Sequence, residues 1–206
     1  MTFRYPAILL VLIVLPVSFF AQDFVIRRRP VVTSSVKVAV SDDFNRSSGS
    51  LGANWTTNPT DGIQIWSNYA LDNGTSYPDL AWWSANSFNN SQFASLTVTA
   101  IQSSWQAFGP AVRVSAGNGY GATWHDTTVL DLRKVVGGAQ STIGTTSTVS
   151  VGDVIRIEVS GSSITVKKNG VAVIGPVTDT SISSGAAGMY GAGNPAQGDS
   201  WAGGDL

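Results

Sequence analysis

From Val36 onward apolar and polar residues alternate with a period of two, and no stretch there carries the 3.6-residue period of a helix. Val36, Val38 and Val40 alternate with Lys37 and Ala39. The same pattern returns at Ile63–Trp66, Leu80–Ala85, Phe93–Ile101, Phe108–Ser115, Tyr120–Trp124, Thr128–Val136, Val154–Val159, Ile164–Lys168 and Val171–Ile174. Asn73-Gly74, Asn118-Gly119, Gly137-Gly138 and Asn169-Gly170 punctuate these runs as turns. Many short strands at regular spacing predict an all-β sandwich or barrel.

One hairpin can be set in register from the pattern. A turn on Gly161-Ser162 places Val159 opposite Ile164 and Ile157 opposite Val166, which makes one continuous apolar face. Arg156, Glu158, Thr165 and Lys167 then share the other face, with Glu158 diagonal to Lys167. Glu158 is the only glutamate in the chain, and this position makes it a cross-strand charge partner.

Ahead of the strands lies a different kind of sequence. Arg4 precedes Ala7 to Phe20, fourteen residues that are apolar apart from Ser18. That is short for a membrane span, which needs about 20, and suits a signal peptide over residues 1–21, with an uncleaved anchor as the alternative. Residues 22–35 read as a linker, leaving residues 36–206 as one domain. A domain of this size buries roughly 70% of its unfolded surface. Residues 41–206 carry seven basic groups against eleven aspartates and Glu158. Without a basic stripe, nucleic acid is excluded as a partner of the folded part.

Several motifs complete the picture: Asp42-Asp43-Phe44-Asn45-Arg46, Gly49-Ser50-Leu51-Gly52 with Trp55, and Phe88-Asn89-Asn90-Ser91-Gln92. Val112-Arg113-Val114, Gly152–Glu158, the hairpin ending at Asn169-Gly170 and the terminal Trp201–Leu206 extend the set. Together they resemble a concanavalin A-like jelly roll, in particular the laminin G-like modules, over residues 36–206. The resemblance implies two antiparallel sheets, adjacent first and last strands, and a concave face that often receives a glycan. The superfold hosts lectins, glucanases and adhesion modules, so it does not fix the function.

Chemistry narrows the choice. Retaining glucanases need two carboxyls about 5–5.5 Å apart, and a chain with one glutamate, one histidine (His125) and no cysteine lacks the usual catalytic sets. The nearest cluster is His125-Asp126 with Asp131. The expectation is a secreted or cell-surface, non-catalytic, lectin-like module whose partner is a glycan or polysaccharide. Its seven tryptophans support this, because flat rings stack on sugars while polar neighbours fix the hydroxyls. Trp55 and Trp201 read as core. Trp82 and Trp83, being adjacent on a strand, must face opposite ways; Trp83 shares its side with Ala81 and Ala85, which leaves Trp82 for a ligand. Trp66, Trp105 and Trp124 are further candidates, with Arg113 and Asp131 as polar partners. Structural calcium is a second expectation, either at Asp42, Asp43 and Asp205 if the end strands pair, or at Asp72-Asn73-Gly74 through Asp79. The alternative function is a structural or adhesive subunit that self-associates by donating Val31–Val40 as a strand to a neighbour.

Overall fold

A computed structural model describes residues 37–58, 62–74, 77–101, 106–126, 129–146, 148–193 and 196–206. The expected signal peptide and linker lie outside the described residues. Every regular element described is a strand: β1 (Ala39–Asp42), β2 (Trp55–Asn58), β3 (Ile63–Trp66), β4 (Tyr69–Asp72), β5 (Asp79–Trp83), β6 (Gln92–Ala100), β7 (Ala107–Ser115), β8 (Asn118–Asp126), β9 (Val129–Val136), β10 (Ala139–Thr146), β11 (Val154–Ser160), β12 (Ser163–Lys168), β13 (Val171–Thr178), β14 (Ala186–Ala192) and β15 (Gln197–Asp205). They form two antiparallel sheets. One has eight strands in the order β13-β12-β11-β6-β15-β4-β3, with β1 also on β15; the other has seven in the order β10-β9-β8-β7-β14-β5-β2.

The expected hairpin register holds: Val159 pairs with Ile164 and Ile157 with Val166. Glu158 receives Arg156 Nε at 2.6 Å and Lys167 Nζ at 2.8 Å on the outside of the eight-stranded sheet. The chain ends are adjacent, since β1 runs antiparallel to β15 with Ala39 opposite Gly204 and Asp42 opposite Trp201. The strand expected from Val36 is thus centred later, and residues 39–42 are taken up within their own chain.

Between the sheets Trp55, Trp83, Trp201, Phe44, Phe108 and Trp124 pack with the aliphatic residues of β6, β8, β9, β11 and β12. Each buried indole keeps its N–H satisfied, as it must away from water. Trp55 donates to Asp42, Trp83 to Asn86, Trp124 to the Ala100 carbonyl and Trp201 to the Gly188 carbonyl.

Strands β10 and β14 escape the alternation pattern. β14 reads Ala-Ala-Gly-Met-Tyr-Gly-Ala because its neighbours leave no room for more: a Cβ on Gly188 would stand 2.9 Å from the Trp82 backbone Cα, and one on Gly191 would stand 2.6 Å from the Asp72 side-chain Cβ. β10 is mostly polar, with Ile143 its one large apolar residue, and lies at the edge of its sheet.

Candidate functional site

The seven-stranded sheet is buried on its inner face and carries a second cluster on its outer face. Tyr120, Ala122, Trp124, Leu130 and Leu132 point inward. By alternation Gly119, Gly121, Thr123, Asp131, Arg133 and Val135 point outward. Leu80, Ala107, Ala111, Val114, Val135, Tyr190 and Ala192 form a buried apolar patch there, with Trp82 packed against it. Glycine shapes this face. A Cβ on Gly121 would lie 2.9 Å from Tyr190 Cβ, so β14 and β8 approach each other across β7 and the face becomes a trough.

Along the trough runs a polar chain. Tyr190 Oη donates a short hydrogen bond to Gln140 Oε1, and Arg133 Nη1 reaches the same oxygen at 3.4 Å. Arg133 Nη2 donates to Asp131 Oδ2 at 3.2 Å, and His125 Nε2 lies 3.3 Å from that oxygen. Thr145 Oγ1 donates to Asp131 Oδ1 at 2.7 Å. Five side chains from β8, β9, β10 and β14 join Asp131 in this way, and the backbone register explains it. Thr123, Asp131 and Thr145 are direct partners in one row, with Gly121 and Arg133 in the next. Burial pushes the Tyr190 pKa up, against an opposing pull from Arg133. The phenol is therefore neutral and a hydrogen-bond donor at ordinary pH.

Two atoms of this face are left over. Thr123 Oγ1 and the Arg133 Nε–H are buried with no hydrogen-bond partner among the described residues. Thr123 itself is fully buried. Unmade hydrogen bonds cost about 1–3 kcal/mol each, so paired orphans on one face call for a ligand or water to complete them.

The other expected site residues fare unequally. Asp131 sits at the centre of the network. Trp82 and Trp83 do face opposite ways: Trp83 is in the core, and Trp82 is partly buried on the outer face. Trp124 does not face a ligand; it is fully buried and meets Phe108 edge-on at 6.0 Å. Alternation with Tyr120 and Ala122 already places it inward. Trp66 is 55% exposed, opposite Tyr69 on the β3–β4 hairpin, but that hairpin belongs to the other sheet. Trp105 lies outside the described residues. Arg113 is a structural clip rather than an exposed partner. The register of β7 shifts between Val112 and Ser115, Arg113 takes a φ of 51°, and its guanidinium turns onto the carbonyls of Asn90, Gly161 and Ile182.

The end-strand aspartates are not brought together. Asp42 lies opposite Trp201 while the Asp205 amide bonds to Val38, which puts them about four residues, or roughly 13 Å, apart along the pair. Asp42 is taken by Arg46, Trp55 and the Phe44 amide, Asp43 caps the Asn45 amide, and Asp205 holds Val38 and Asn89. Asp72 and Asp79, by contrast, are both fully buried and border the same Gly74, where a Cβ would overlap the Asp79 carboxylate and stand 3.2 Å from Asp72 Oδ1. Among the described residues no group of three or more His, Cys, Asp or Glu side chains converges as a metal site.

No protein-family model matches the chain, and no curated protein matches it by sequence. Solved structures do match. The carbohydrate-binding module CBM66 from Bacillus subtilis superimposes with a TM-score of 0.55 at 20% identity, over 76% of this chain and 95% of that one. The exoplasmic/lumenal domain of VIP36, in its metal-free form, gives 0.53 at 10% identity, over 81% and 91%. The chain has a concanavalin A-like fold. A third match, to the GH43 protein BlXynB from Bacillus licheniformis, gives 0.52 at 12% identity over 80% of this chain and only 38% of that one. The two antiparallel sheets and the paired chain ends agree with what the sequence motifs implied; the narrower laminin G-like resemblance rests on those motifs alone.

Proposed function

We propose that the domain binds carbohydrate without transforming it, through the outer face of the seven-stranded sheet. The observation that carries this reading is the pair of orphaned groups, Thr123 Oγ1 and Arg133 Nε, set into the Tyr190–Gln140–Arg133–Asp131–His125 network. A sugar hydroxyl both donates and accepts, so it suits an arginine N–H as well as a threonine hydroxyl. The apolar patch around Tyr190 and Trp82 suits the C–H faces of the same ligand. Support from outside the chain is the carbohydrate-binding module among its structural neighbours.

A non-catalytic role fits the placement of the carboxylates. Glu158 is held by two cations on the far sheet, and Asp131 is held by Arg133, Thr145 and His125. Neither is one of two facing carboxylates of the kind that glycoside hydrolysis uses. Export from the cell belongs to the same reading and rests on the apolar segment before the domain. Structural calcium belongs to the same reading, at the buried carboxylates of Asp72 and Asp79 that border Gly74.

The test is binding of the domain to a panel of soluble polysaccharides, comparing the parent with Arg133→Ala. Loss of hydrogen bonds to a charged group costs about 1.5–3 kcal/mol, a weakening of roughly tenfold to a hundredfold.

A further inference from the structure

We propose that a second pocket, over Arg113, binds an oxyanion such as a carboxylate or sulfate group. The pocket has a volume of about 300 Å³ and is lined by Arg113 with Asn90, Ser91, Ser162, Thr180 and Ser183. It lies at one end of the sandwich, where the start of β6, the β11–β12 turn and the β13–β14 connection meet β7. It is therefore separate from the glycan-binding trough and does not rest on that reading.

Arg113 is only 3% exposed, yet it has no carboxylate partner among the described residues. Its Nε and Nη2 both donate to the Asn90 carbonyl, at 3.1 and 2.9 Å, Nη2 donates also to Gly161 at 2.6 Å, and Nη1 donates to Ile182 at 2.8 Å. Four of the five guanidinium N–H groups are thus spent on neutral carbonyls, and one on Nη1 remains. Asp179, just before the pocket wall, does not supply the missing charge: it is held by Lys134, Tyr120 and the Ser181 amide. Burial pulls the Arg113 pKa down, which is the cost of a cation held away from water and from any anion.

An arginine cannot escape that cost by losing its proton. The three carbonyls fix the fork rigidly, and the hydroxyls of Ser91, Ser162, Thr180 and Ser183 add donors around the opening while no acidic side chain lines it. A rigid, uncompensated cation ringed by hydroxyl donors is built to donate charge-assisted hydrogen bonds to a planar or tetrahedral oxyanion.

The test is thermal melting of the full domain in sodium sulfate, sodium glucuronate and a sulfated polysaccharide, each against sodium chloride at equal ionic strength. Sulfate strengthens most proteins by exclusion from their surfaces, so the parent is compared with Ser183→Asp, which places a carboxylate beside Ile182 and supplies the counter-ion from within. Arg113→Ala is unsuitable, because it would also remove the clip. The expected result is a saturable rise in the parent melting temperature that is lost in Ser183→Asp, whose melting temperature in chloride is at or above the parent's. A rise with glucuronate or sulfate alone identifies a small anion as sufficient; a rise only with the polymer identifies an acidic glycan. Equal, non-saturating rises in parent and variant, or no rise with any probe, would overturn the proposal.

Discussion

Trp83 and Trp201 come from opposite sheets and lie nearly parallel, with ring centroids 5.7 Å apart and planes inclined by 15°. Trp55 stands edge-on to both, 5.4 Å from Trp83 and 4.6 Å from Trp201. The last strand therefore supplies a ring to the centre of the core and pairs with β1 and β6 on its two sides. Removing residues 201–206 should yield an unfolded or aggregating chain. Loss of a core tryptophan costs about 3–5 kcal/mol against a total near 5–15 kcal/mol. Circular dichroism melting checks this; a truncated domain that melts like the parent would make the terminal strand peripheral.

The neighbouring tryptophans should separate in the same assay. Trp83→Ala removes a ring in contact with Trp55 and Trp201 and should cost several kcal/mol. Trp82→Ala removes a ring that is only partly buried on the outer face, so its cost should be smaller. Equal losses in chemical denaturation would show that the outer-face patch matters to stability as much as the core does.

This pair also shows what the sequence reveals. Alternation alone separates Trp82 from Trp83 and sets the β11–β12 register; applied strictly on β8 it also turns Trp124 inward, against the expectation that this ring faces a ligand. It fails at Arg113, because a bulge breaks the period and turns a side chain that looks exposed into a buried clip. Gln140 and Tyr190 are hidden for another reason. They lie on β10, which is mostly polar, and β14, which is mostly Ala and Gly, so neither strand carries the apolar rhythm. The signal that was available is the i, i+2 spacing of Thr123 with His125 and of Asp131 with Arg133, which puts four polar groups on one face of two paired strands.

Stability should fall at both ends of the pH range for identifiable reasons. Desolvation favours the neutral form of Asp179, but its bonds from Lys134 and Tyr120, each 2.6 Å, outweigh this and hold its carboxyl well below the usual range. An unfolded aspartate takes up its proton near pH 3.9, roughly. The contribution of Asp179 is therefore complete above that value and lost as the pH falls toward the folded pKa. Tyr120 is the opposite case. Burial, with the Asp179 bond, pushes its pKa up to about 12, so its contribution is complete below the unfolded value near 10, roughly, and lost as the pH rises through the folded one. Asp179→Asn should flatten the acid limb of a stability–pH curve and Tyr120→Phe the alkaline limb. Unchanged limbs would remove these two groups from the account.

Calcium at Asp72 and Asp79 is tested by melting in calcium against a chelator. The parent should melt higher with calcium, by an amount that grows with the ion's concentration, and Asp72→Asn should lose the difference. A parent that melts identically in both conditions would contradict a site there.

The central claim is that the outer face of the seven-stranded sheet holds a glycan through Arg133 and Asp131. The most direct measurement is titration calorimetry of the parent, Arg133→Ala and Asp131→Asn with whichever polysaccharide the parent binds, each variant first checked for a parent-like melting curve. The account predicts binding by the parent and a roughly tenfold to hundredfold loss in folded Arg133→Ala. Parent-like affinity in both folded variants, or a parent that binds no glycan on a broad panel, would contradict it.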